Sequence, residues 1–167
     1  INSSLTVSTL ASSHSLTGPS YNSANATVGA RTLTINFGTW SADPTAGGGQ
    51  SFTSNGQDQI QVTASSSTTL VDLRDLINTA VTDSDNDGQK DVNASIIFDG
   101  TNYMLMLKSQ SGASYEMKVS DSNASPAYAY DATDGAQLTQ RVAGTNSAFT
   151  VDGISTVSYT HLRAHET

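Results

Sequence analysis

The chain has 167 residues, a formal net charge of −8, 36% hydrophobic residues and no cysteine. That length supports one core or two small ones, and the missing cysteines exclude a disulfide framework and thiol catalysis. Seven Lys+Arg against 15 Asp+Glu, with no basic run, would repel a phosphate backbone, and no apolar run approaches a bilayer span, so neither nucleic acid nor membrane insertion is expected.

The sequence starts at Ile1 and a strand pattern is under way by Leu5, so a native start is expected upstream. "SSLTVSTLASSHSLTGPS" reads as a strand around Leu5 to Val7, then a Ser-rich linker through Thr27 with His14 exposed in it. Segment 1–28 is thus a partial strand and linker, and 29–156 the main folded region. "TLTINF" alternates Leu33, Ile35 and Phe37 with polar residues, as a half-buried strand does, and "QIQVTA" repeats the pattern with Ile60, Val62 and Ala64. Between them "GTWSADPTAGGGQSFTSNGQ" carries Pro44, three consecutive glycines and Asn-Gly, and reads as a long loop.

The period then changes. Leu70, Leu73, Leu76, Ile77 and Ala80 recur at three- and four-residue steps, predicting an amphipathic helix, with Thr69 as its N-cap and Asp72 as the capping-box acid. Beyond Asp91 the period returns to two. "VNASIIF" and "NYMLMLKS" across "DGTN" predict a hairpin, "SYEMKV" a further strand, and "AFTVDGI" a last one. From Asp121 to Thr145 the pattern fades into loop with room for a short strand or helix. The fold class expected is α+β, mostly β, with antiparallel sheets and one amphipathic helix packed on them; the strand-helix-hairpin unit covers about 58–120.

"TDSDNDGQKDVN", residues 82 to 93, concentrates anions in a charge-poor chain. Against the calcium-loop pattern, Asp83, Asp85 and Asp87 stand at positions 1, 3 and 5, Gly88 at the position 6 turn, the Gln89 carbonyl at 7 and Asp91 at 9. Ala94 occupies position 12, where a bidentate acid is expected. The stretch reads either as a structural Ca²⁺ loop in which Asp91 closes the shell, or as a solvated acidic turn; no cofactor is required otherwise.

Val157 to Thr167, "VSYTHLRAHET", is what one reading frame of a common transposon-derived sequencing adapter encodes. Segment 157–167 is read as a non-native tail, which removes His161, His165 and Glu166 from any chemical reading. With His14 the remaining base and no G-x-S-x-G elbow, no catalytic set is expected, and the chain is read as not an enzyme. Asp72 and Asp75 fit capping and solvent exposure. Trp40, Tyr128 and Tyr130 are read as an adhesive aromatic surface or, more simply, as the edge of a core.

The order "SLTVSTLASSHSL", "TLTINFG", "IQVTASSSTTLVDLRDLINTA", "VNASIIFDGTNYMLMLKSQSGA" and "SAFTVDGI" resembles the bacterial flagellar filament cap family of hook-associated proteins, over most of Leu5 to Ile154. Its most specific part is the middle unit, similar to the family's repeated hook-associated motif. The glycine-rich loop, the Asp83 to Asp91 insertion and the weakly patterned 121–145 depart from the family. The resemblance implies a head-domain region at 29–156, with the coiled-coil leg helices outside this sequence. It further implies an extracellular cap oligomer at the filament tip that promotes flagellin assembly. Its partners would be other copies, flagellin and hook-associated proteins, with adhesion to a host surface as an added role. The rival reading is a calcium-stabilised β module of a secreted adhesin.

Overall fold

A computed structural model describes residues 2–42, 49–132 and 137–158. The described elements are β1 (Leu5–Thr9), β2 (Ser13–Thr17), β3 (Arg31–Ala42), β4 (Gln50–Ser54), β5 (Ile60–Ala64), α1 (Leu70–Ala80), β6 (Val92–Phe98), β7 (Tyr103–Ser111), β8 (Glu116–Asp121), β9 (Thr139–Val142), β10 (Ser147–Val151) and β11 (Ile154–Ser158). A 3-10 turn, Ala113–Tyr115, leads into β8. The fold is mostly β with one α-helix and antiparallel pairing throughout, as the periodicities predict.

β3 organises one sheet. Its first half pairs β5, with Leu33 opposite Val62, and its second half pairs β4, with Gly38 opposite Ser54, while β8 runs along the other edge from Leu33 to Gly38. Leu33, Ile35 and Phe37 are almost wholly buried, so the two-residue period does face the core. The second sheet has the order β6-β7-β2-β9, built on the predicted hairpin. Asp99 sets that hairpin's turn by accepting the Thr101 and Asn102 N–H groups, and Gly100 supplies φ 99°. A third, small sheet has the order β1-β10-β11.

α1 lies across β5 of one sheet and β6 and β7 of the other, so Leu70, Leu73 and Ile77, all at 0% exposure, close one core between them. The capping box is formed: Asp72 N–H donates to the Thr69 hydroxyl and Thr69 N–H donates to the Asp72 carboxylate. Leu76 departs from the expected stripe and is exposed. Of the strand partners expected for the helix, Ile60 and Val62 are buried, Ile96 is partly buried and Phe98 is exposed. Phe98, the last residue of β6, lies against the Tyr103 ring, with ring centroids 4.7 Å apart. Val92 and Ala94 take its place in the core.

Two stretches differ from the reading as linker or loop, and a third holds the short strand that reading allowed. "SHSLT" is β2, a central strand between β7 and β9, and His14 in it is fully buried. The segment after Phe37 continues β3 to Ala42, and Gln50–Ser54 returns as β4; Pro44, Gly47 and Gly48 lie outside the described residues. In 121–145, Tyr130 bridges Val119, and β9 adds to the second sheet. Val157 and Ser158 complete β11, while 159–167 lie outside the described residues. Among the described residues no helix is long and apolar enough to cross a membrane.

Candidate functional site

The acidic loop joins the end of α1 to the start of β6, with Asp91 N–H donating to the Thr82 carbonyl across its neck. Inside it the carboxylates act as turn formers. Asp83 accepts the Asp87 N–H on Oδ1 at 3.0 Å and the Gly88 N–H on Oδ2 at 2.9 Å. Asp87 accepts the Gln89 N–H at 2.7 Å. Asn86 and Gly88 both have positive φ, 58° and 83°; the asparagine tolerates it through its short polar side chain and the glycine through its lack of Cβ. A side-chain oxygen from each of Asp83, Asp85 and Asp87 falls within 4.8 Å of the other two. Each such pair of like charges costs about 1 kcal/mol in water-like surroundings and several times that where desolvated.

Groups from elsewhere hold the cluster in place. Tyr115, in the 3-10 turn, donates its hydroxyl to Asp85 Oδ2 at 2.6 Å, which lowers the Asp85 carboxyl below the ordinary range, while burial and then this bond raise the phenol. Gln110 at the end of β7 reaches Asp87 Oδ1. Asp91 is fully buried and accepts both the N–H and the hydroxyl of Ser84 on Oδ2. Burial raises its carboxyl above the usual value. The structure thus brings Asp83, Asp85, Asp87, Gly88, Gln89 and Asp91 into one loop. Tyr115, Gln110 and Ser84 were missed in sequence, since their spacing carries no ligand pattern.

The residues weighed for chemistry or adhesion are otherwise engaged. His14 Nδ1 accepts the Met117 N–H at 2.8 Å, so the ring proton sits on Nε2 and is donated to Gln140 Oε1 at 2.8 Å. No ring nitrogen is left to activate a serine. Asp72 serves the helix cap and Asp75 pairs with Arg74 at 2.8 Å. Tyr128 and Tyr130 are buried, and Trp40 is half-buried with its indole N–H donated to the Met117 carbonyl. These three rings are core-edge residues, and no adhesive aromatic face is formed by them.

No protein-family model and no curated protein matches the sequence. Solved structures do match the fold. The D2-D3 domains of the flagellar cap protein FliD from Serratia marcescens align at TM-score 0.74 and 26% identity, over 98% of this chain and 80% of that one. The corresponding Escherichia coli domains align at 0.73 and 23%, over 98% and 76%. FliD from Pseudomonas aeruginosa aligns at 0.68 and 25%, over 98% and 69%. Against an E. coli structure that includes D1, the chain spans 42% of the length. The likeness seen first in "LRDLIN" and the hairpin after it therefore extends to the whole described fold, and this chain is similar to the D2-D3 region of flagellar cap proteins.

Proposed function

We propose that the chain is the head region of a flagellar filament cap protein, placed outside the cell at the filament tip. There, copies of it associate with one another and meet flagellin and the hook-associated proteins. The observation that carries this reading is the fold match over 98% of the chain to D2-D3 domains from separate bacteria. The chemistry is consistent with a structural role. His14 is locked between Met117 and Gln140, and the acidic residues serve turns and caps, so what this chain offers an assembling subunit is shape and surface rather than a reacting group. Promotion of flagellin assembly belongs to the longer protein, of which this region supplies the outer part.

The test replaces the D2-D3 segment of the E. coli cap protein with residues 2–158 and expresses the hybrid in a cap-deleted strain. Restored filaments, with less monomeric flagellin lost to the medium than in the deleted strain, are expected. A hybrid that is exported and folded, yet leaves flagellin in the medium at the deleted strain's level, would overturn the reading.

A further inference from the structure

Asp91 is fully buried, and its Oδ1 has no hydrogen-bond partner. A buried carboxylate oxygen left without a partner is costly unless a proton or a cation meets it. Its other oxygen is held by the N–H and hydroxyl of Ser84, at 3.3 and 2.9 Å. Ser84 stands between Asp83 and Asp85, so the Asp91 carboxylate is seated on the acidic loop itself, and the charges that bear on it are those of Asp85 and Asp83. The three clustered carboxylates and the buried, unpartnered oxygen of Asp91, whose other oxygen sits on Ser84 between two of them, are two separate observations that one cation held by residues 83–91 would answer.

We propose that this loop binds Ca²⁺, with the Asp83, Asp85 and Asp87 carboxylates and the Gln89 carbonyl as ligands and Asp91 engaged from position 9 through a water. Every donor is oxygen, which selects a hard cation, and a cage of several carboxylates suits Ca²⁺ better than Mg²⁺, which keeps most of its waters. Tyr115 and Gln110 orient Asp85 and Asp87 from outside the shell, the role outer partners take in metal sites. Ala94 in β6 stands where the bidentate acid of a high-affinity loop belongs, so the dissociation constant is on the order of 0.1 to 1 mM. The bound ion ties the end of α1 to the start of β6. This proposal rests on the loop's own atoms, and its failure leaves the cap reading standing.

The experiment uses Ca²⁺ alone, with melting followed in chelator, in about 10 mM CaCl₂, in MgCl₂ and in NaCl of matched ionic strength. Mass action on the native state predicts a rise in the folding equilibrium constant of roughly 10- to 100-fold in CaCl₂ and a smaller one in MgCl₂. Tb³⁺ is the direct probe, because Tyr115 touches the site and can sensitise its emission; saturable emission displaced by Ca²⁺ is expected. The double variant Asp83→Asn, Asp85→Asn loses both responses. Asp91→Asn weakens the Ca²⁺ response several-fold. Equal melting in CaCl₂ and matched NaCl with no displaceable Tb³⁺ overturns the site, and an unchanged response in Asp91→Asn removes Asp91 from it and overturns the geometry.

Discussion

At the scale of single residues, buried polar groups settle what apolar patterning leaves open. His14 is surrounded by Met117, Gln140 and the edge of the Tyr130 ring, whose centroid is 5.3 Å away, and burial lowers its pKa below the ordinary 6.5. Protonating Nδ1 would set a second N–H against the Met117 N–H. The unfolded chain therefore takes up the proton first as pH falls. His14's contribution is complete above about pH 6.5 and is lost as pH drops through that value toward the lowered folded pKa. Unfolding free energy measured from pH 7.5 to 5 should fall more steeply in the parent than in His14→Gln; parallel slopes would show that the ring is hydrated in solution. Asp121 does for the segment after β8 what His14 does for β2. Its Oδ2 accepts Arg31 at 2.7 Å and the N–H groups of Ala127 and Tyr128, and its Oδ1 accepts Asn123 N–H. Arg31 in turn lies over the Tyr128 ring, 5.1 Å from its centroid. One carboxylate thus shapes a stretch whose sequence shows no period.

At the scale of elements, α1 is held by an apolar stripe and by one amide. Leu73, at 0% exposure between the two sheets, should cost about 2 to 5 kcal/mol when cut to alanine, the range for buried leucines, and a denaturant series giving a loss near zero would mean the helix faces elsewhere. Asn78 is the amide. β6 is an edge strand, and Asn78 donates to the Ala94 carbonyl and accepts the Ala94 N–H, both at 2.8 Å, so the helix covers an open edge with a side chain. Asn78→Ala leaves two largely buried backbone groups unpaired and should cost about 1 to 3 kcal/mol in the same denaturant series; an unchanged midpoint would show water replacing the amide. Gly38 is required by close approach, since a Cβ there would stand 2.1 Å from the Thr53 carbonyl oxygen. How much of this was legible follows from what each element is made of. β3, β5, α1, β6 and β7 carry their core residues at the period of their own geometry, so sequence alone placed them. β2 and β4 each hold one large apolar residue, Leu16 and Phe52, among serines and threonines, and β9 is exposed along its length, so none announces itself by alternation. The spacing of the acidic loop exposed its candidate ligands, whereas the burial of Asp91 depends on strands that only the fold brings together.

At the scale of the whole molecule, the chain closes on itself, because β1 near its start pairs with β10 near its end, Leu5 opposite Val151, and β11 pairs with the other side of β10. The apolar core of the body, from Leu16 to Leu138, contains no residue of this terminal sheet. β1 is exposed along its entire length, and Ile154 and Val157 in β11 are exposed as well. Backbone pairing with little apolar burial gives low local stability, so the molecule should open in two tiers. The adapter reading of 157–167 predicts no change in melting temperature on trimming, and it is tested cleanly on 159–167, since Val157 and Ser158 are paired in β11; a drop of several degrees would count against that reading. Trimming back to Val157 also removes the pairs Ser147 with Ser158 and Ala148 with Val157, and should loosen β10 without touching the body. Native-state hydrogen exchange separates the tiers. Amides paired between β1, β10 and β11 should exchange through local opening, well before those of Leu33, Ile35 and Leu105, which require global unfolding because the core closes around them. Equal protection in the two groups would mean that the terminal sheet folds as one unit with the body, coupled to it through the Ser12–Thr145 bridge and the Ala113 N–H donated to Asn146.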